Sequence, residues 1–189
     1  MRRTAVILTS LLLAGALLTG SAAAGSGSAP ATAEDALASA ALHRVPPDLR
    51  APAGQKLVLT TLGRGSQVYD CVGGAWTFRE PAAVILRGRT TVALHYAGPT
   101  WQSLGDGSKV TAAVHARADA PRPDRDIPWL LLSATGNAGA GAFAEVDFIQ
   151  RLATQGGVAP AGACDPAVRA SQAVPYTAVY TFWAPASAG

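Results

Sequence analysis

From Lys56 to Trp183 the chain is written in short β-branched and aromatic runs, each stopped by Gly, Pro, Asp or Asn. That punctuation belongs to strands and turns rather than helices. Lys56–Leu62 is the first run. Ser66–Val72 follows, its period of two setting Gln67, Tyr69 and Cys71 on one face and Val68, Asp70 and Val72 on the other. Gly73-Gly74 turns the chain into Ala75–Arg79, where Trp76 and Phe78 share a face. Ala82–Leu86 and Thr90–Tyr96 flank Arg87-Gly88-Arg89 as a hairpin, with Val92, Leu94 and Tyr96 forming the apolar face and Ala93 and His95 the opposite one. Lys109–Arg117 alternates again and predicts Val110, Ala112, Val114 and Ala116 inward. Ala118–Asp126, with Pro121 and Pro123, reads as an exposed loop. Ile127–Ala134 is nearly all apolar, and its length and Pro128 favour a central strand buried on both faces over a buried helix. Ala142–Leu152 fits both periods, with strand preferred, and Val174–Trp183 is the last strand. The expectation is an all-β single domain, an antiparallel sandwich or barrel of about nine strands.

Ahead of these runs the chain changes character. Met1-Arg2-Arg3 precedes an apolar stretch from Ala5 to about Leu18 and then small residues through Gly25, the order of a secretory signal peptide. The stretch is shorter than the roughly 20 apolar residues of a spanning helix. Residues 1–24 are therefore expected to be removed after Ala24 by ordinary export, because the Arg pair lacks the longer context of a twin-arginine signal. Residues 25–45 are Ala, Ser, Gly, Pro and Thr with scattered charge and read as a flexible linker in which Ala33–Leu42 forms a transient helix. Residues 46–185 read as the β domain. Loss of Arg2 and Arg3 brings the 15 basic residues to 13, against 12 acidic ones. A near-neutral chain with no basic stripe gives no footing to nucleic acid. No membrane span is expected after signal cleavage, and a monomer is expected.

Cys71 and Cys164 are the two cysteines of the chain, and in an oxidising compartment they pair most simply with each other. The bridge would close a loop of about 90 residues. The alternative is a pair of free buried thiols. Neither cysteine has a His or Lys beside it in sequence to lower its pKa, which argues against a catalytic thiol.

Several motifs occur together: Gln67-Val68-Tyr69-Asp70-Cys71, His95-Tyr96-Ala97-Gly98-Pro99-Thr100-Trp101-Gln102-Ser103-Leu104-Gly105-Asp106-Gly107-Ser108, Ile127-Pro128-Trp129-Leu130-Leu131-Leu132, Ile149-Gln150-Arg151 with Thr154-Gln155-Gly156-Gly157, Cys164, and Val174-Pro175-Tyr176. As a set they resemble the family catalogued as domain of unknown function 3455 across most of residues 46–184. The resemblance implies a secreted protein and brings no activity with it.

The segment from His95 to Ser108 places an imidazole, a phenol, an indole and a carboxylate close together in sequence, on a connection between strands where sites usually sit. His95, Tyr96, Trp101 and Asp106 are accordingly the candidate ligand-binding residues. Each has a plain structural reading as well. Asp106-Gly107 is a turn dipeptide whose Asp can cap its own turn, Trp101 is either a core anchor or an exposed platform, and His95 is solvated, paired with Asp106, or packed between sheets. A hairpin pairing of the two neighbouring strands would put His95 and His115 roughly 17 Å apart, too far to share an ion, so no metal is expected, nor any cofactor. Glu145, Asp147 and Arg151 read as an exposed charge ladder, and Trp76, Trp129 and Trp183 as core. No nucleophile elbow or phosphate loop is present. The function these readings favour is a secreted binding or structural module at the cell envelope or outside it. Its partner would be a carbohydrate, a cell-wall polymer or a small apolar molecule stacked on Trp101 and Tyr96. The alternative is a hydrolase-type enzyme in which Asp106 orients His95 as general base.

Overall fold

The computed structural model describes residues 33–186. Eight strands, β1 (Gln55–Val72), β2 (Ala75–Arg87), β3 (Thr90–Tyr96), β4 (Thr100–Ser103), β5 (Lys109–Ala118), β6 (Trp129–Ala138), β7 (Phe148–Gly156) and β8 (Ser171–Pro185), follow one another as antiparallel neighbours. β8 then pairs with β1 and closes the sheet into a barrel. The antiparallel all-β expectation holds, and of the two closures it left open the sheet takes the barrel.

The strand count differs from about nine for local reasons. Gly63-Arg64-Gly65 reads as a break, yet β1 runs straight through it, because these glycines serve the curvature of a closed sheet rather than a turn. A Cβ on Gly63 would overlap the Tyr180 ring, and one on Gly65 would overlap the backbone of Ala82 and Ala83 on β2. Gly65→Ala is therefore expected to cost about 1 to 3 kcal/mol as an overpacked contact. A urea midpoint equal to that of the unsubstituted protein would refute this. Pro81 likewise sits within β2 rather than ending it, which merges two more of the expected runs. In the other direction, Thr100–Ser103 forms a strand of its own inside what reads as a loop. Residues 142–147 are turn and coil, so β7 starts at Phe148 and continues to Gly156. The Asn137 amide holds that turn by donating to the carbonyls of Phe143 at 2.8 Å and Val146 at 3.0 Å.

Two faces of the sheet are buried for different reasons. The interior is filled by side chains such as Ile85, Trp101, Leu132, Ile149, Tyr180 and Phe182, as the bore of an eight-stranded barrel requires. Part of the exterior is covered as well. Helix α1 (Ala33–His43) and a 3-10 turn at Pro47–Leu49 place Ala41 and Leu49 against Trp129, Leu131, Leu152 and Val179. β6 is thereby buried on both faces, as its continuous apolar run predicts, with Leu130 and Leu132 inside and Trp129 and Leu131 outside. Gln150 anchors the turn from beneath. Its amide donates to the Leu49 carbonyl at 2.6 Å, while its oxygen accepts from the Thr181 hydroxyl at 2.6 Å and the Trp183 indole at 3.0 Å. Of residues 25–45, the structure describes the helix and the buried Ala41 and Val45; the expected signal peptide lies outside the described residues.

Two facings are reversed relative to the sequence reading. On β3 the buried face is Ala93 and His95, and Leu94 is 39% exposed. The bore at this point is filled by Trp101 across the pair, leaving room for a small residue and a flat ring rather than for Leu. On β5 the register shifts between Val114 and Ala116, and this bulge sends Ala116 to the outer cluster with Ala118. Of the three tryptophans read as core, Trp129 is buried and Trp76 and Trp183 are half-buried.

Candidate functional site

In an up-and-down barrel the connections alternate between the two ends. One end carries the β1–β2, β3–β4, β5–β6 and β7–β8 connections, and a cavity of about 450 Å³ opens there. The Cys71–Cys164 bridge, with Cα atoms 5.8 Å apart, staples the β7–β8 connection to the tip of β1 at the same end. The Cys164 amide donates to the Gly74 carbonyl and the Cys71 amide to the Ala170 carbonyl, both at 2.9 Å. The Tyr69 phenol completes the attachment by donating to the Gly157 carbonyl at 2.6 Å.

The cavity wall is apolar for most of its extent, with Phe78, Val114, Ile127, Leu130 and Leu132. Phe78 and Val114 form a rim that is 50% and 56% exposed. Set into this wall are His95, Trp101, Gln67, Tyr69, Tyr180 and Arg151. Pairing in register explains the grouping: His95 stands opposite Trp101 across β3 and β4, and Arg151 stands between Leu130 and Tyr180 across β6, β7 and β8.

His95 lies flat on Trp101, with ring centroids 4.1 Å apart and planes 10° from parallel, and the Tyr180 ring meets it edge-on at 5.3 Å. Its Nδ1 is 2.9 Å from the Thr100 carbonyl oxygen. A carbonyl only accepts, so Nδ1 carries the proton and Nε2 is left as an acceptor. Burial holds the imidazole neutral by lowering its pKa to about 3. The Thr100 hydrogen bond opposes this shift, and the nearby Arg151 charge adds to it. Such a ring accepts a proton poorly near neutral pH, which removes the usual ground for a general base. Burial raises the pKa of Tyr69, Tyr176 and Tyr180, each opposed by the field of Arg151. The Tyr176 and Tyr180 hydroxyls meet at 3.0 Å.

Arg151 is the electrostatic centre of this wall. Its Nε and Nη2 donate to the Pro128 carbonyl at 3.2 and 2.9 Å. Among the described residues no carboxylate pairs with it, in contrast to Arg79, which meets Asp70 and Glu80, and Arg122, which meets Asp126. Two further donors are unmet. Trp101 Nε1 and Gln67 Nε2 are buried without a hydrogen-bond partner, Gln67 lying beside the Tyr176 phenol without bonding geometry. Buried N–H groups in this condition are uncommon and costly.

Of the four residues singled out from sequence, the structure brings two together at this cavity, His95 and Trp101. Tyr96 points away from it and donates to Gln102 Oε1 at 2.9 Å. Asp106 lies in the β4–β5 connection, at the other end of the barrel. There its carboxylate accepts from the Ser108 amide at 2.9 Å, the Ser108 hydroxyl and the Ala142 amide at 2.9 Å, and these hydrogen bonds lower its pKa. Among the described residues no hydrogen bond or ion pair links Asp106 to His95. His115 stands on the outer face against Phe148, ring centroids 6.1 Å apart. Arg151 was not singled out as a site residue, because a charged residue in a strand reads first as solvated. The signal that finds it is its period-two alignment with Ile149, a fully buried residue of the interior.

Fold and site together define a closed up-and-down β-barrel with a disulfide-stapled mouth and a cavity of small-ligand size. The chain belongs to the family described as Protein of unknown function (DUF3455), which matches residues 86–184. The match covers β3 to β8 and leaves β1, with Gln67, Tyr69 and Cys71, outside it. No curated protein and no solved structure matches the chain.

Proposed function

We propose that this protein is an exported binding module that holds a small, largely apolar molecule in the cavity at its bridged end. The observation that carries this reading is the combination found there: an open apolar pocket whose wall contains buried N–H donors without partners and a guanidinium without a carboxylate. Eight-stranded barrels have a bore that either fills with side chains or takes one small ligand. Here one half is filled and the other is hollow. The volume lies toward the lower part of the roughly 300 to 1,000 Å³ typical of ligand sites. Export is supported by the basic and apolar leader and by a disulfide, which persists in oxidising compartments. A carbohydrate or wall polymer stacked on Trp101 finds less support, because Trp101 is 1% exposed and one of its faces is covered by His95.

The test uses the neutral apolar dye N-phenyl-1-naphthylamine. One saturable site is expected, and Val114→Trp, which narrows the mouth from an exposed position, is expected to abolish it while leaving the melting temperature close to that of the parent protein. Absence of saturable binding, or binding that Val114→Trp leaves unchanged, would remove the reading.

A further inference from the structure

The guanidinium of Arg151 has five N–H donors in a planar fork. Two of them, on Nε and Nη2, converge on the Pro128 carbonyl. Of the three that remain, one on Nη1 and the outer one on Nη2 form the end of the fork, the edge that matches the two oxygens of a carboxylate, and the other on Nη1 turns back toward Cδ. The Tyr180 phenol lies beside the same group. Around this edge the wall is apolar, and a fixed charge in such surroundings is costly unless it is paired. The other arginine held in ion pairs at the mouth, Arg79, is already met by Asp70 and Glu80, both at 2.9 Å. Arg117 also lines the cavity, but from an exposed position on β5 where water screens it; Arg151 is the positive charge set into the wall itself, and it calls for one negative charge there.

Building on the cavity reading above, we propose that the ligand is a small amphipathic monocarboxylate, its carboxylate on the open edge of Arg151 and its apolar body against Val114, Leu130 and Leu132. A pocket of about 450 Å³ limits that body to the scale of a medium-chain fatty acid or an aromatic acid. The apolar rim at Phe78 and Val114 gives such a molecule its way in. The Trp101 indole N–H, in the wall and without a partner, reports on its arrival.

The experiment compares octanoate with 1-octanol, which share an apolar body and differ in charge. Binding is followed by the Trp101 Nε1–H resonance in the ¹⁵N–¹H spectrum. Octanoate is expected to bind about tenfold or more tighter than octanol, the scale of a charge-assisted hydrogen bond. Arg151→Met should bring the two to parity with octanol affinity retained, and Arg151→Lys, which keeps the charge and loses the fork, should fall between. Should Arg151→Met fail to fold, the comparison in the parent protein and in Arg151→Lys still decides. Equal affinity for octanoate and octanol in the parent protein would overturn the carboxylate assignment and leave the cavity reading standing. If neither binds while the dye does, the assignment is again overturned. If the dye also fails, the cavity reading falls with it.

Discussion

Reduction of the Cys71–Cys164 bridge is expected to lower the melting temperature by on the order of 10 °C. The bridge spans a sequence separation of 93 residues, and removing a native disulfide typically costs about 2 to 5 kcal/mol. A domain of this size shifts about 2 to 4 °C for each kcal/mol. The effect reaches beyond stability, because the bridge ties the β7–β8 connection to the barrel mouth together with the Cys164–Gly74 and Cys71–Ala170 backbone hydrogen bonds. Loss of the bridge should therefore weaken dye binding in the cavity as well as the fold. Thermal melts by circular dichroism with and without reductant, repeated on C71A/C164A, measure the first effect, and dye titration of the double variant measures the second. Melting temperatures that coincide within a degree or two would show that the hydrogen bonds and the Tyr69 anchor hold the loop without it.

The class of fold was legible because strand punctuation survives in any sheet, whichever way the sheet closes. Closure itself was not. The residues that curve the barrel, Gly63 and Gly65, carry the same letters as a turn, and only the approach of Tyr180 and of the β2 backbone shows that they are mid-strand. β4 was hidden for a related reason. The four residues of β4, within the five that separate Gly98-Pro99 from Gly105-Asp106, are too few to show a period, although they carry Trp101 into the bore. The reversal on β3 has a different origin. A period of two gives two faces and does not say which is inside; Leu94 looks like the core residue until the bore is seen to be occupied by Trp101 stacked on His95.

The candidate site was half legible for the same physical reason. His95 and Trp101 are neighbours across adjacent strands as well as in sequence, so proximity along the chain pointed to proximity in space. Asp106 is also near in sequence, but a strand between them carries it to the opposite end of the barrel. Arg151 and Tyr180 come from strands far along the chain and meet this wall only through the register of β7 and β8. No local pattern announces such a meeting. The half-buried charge without a carboxylate is visible only when the whole wall is in place.

Acid should destabilise the protein through His95, by roughly 4 to 5 kcal/mol in all as pH falls from about 6.5 to about 3. The folded ring is held neutral down to about pH 3, whereas an unfolded histidine takes up its proton near pH 6.5. The unfolded chain thus binds more protons throughout this interval, and stability rises with pH across it. The contribution is fully present above about pH 6.5 and declines by about 1.4 kcal/mol per pH unit below it. Burial of the ring between Trp101 and Tyr180 is the first cause, and the positive charge of Arg151 is a further one. His95→Asn retains a donor for the Thr100 carbonyl and cannot titrate. Guanidinium chloride midpoints at about pH 7 and about pH 4.5 should show the parent losing about 2.5 kcal/mol more than the variant. Asp106, whose carboxylate is also stabilised in the fold, contributes an acid sensitivity common to both proteins and cancels in the comparison. Equal acid losses in the two proteins would mean that His95 is already protonated in the fold, and with it that the stacked ring is open to solvent rather than sealed into the cavity wall.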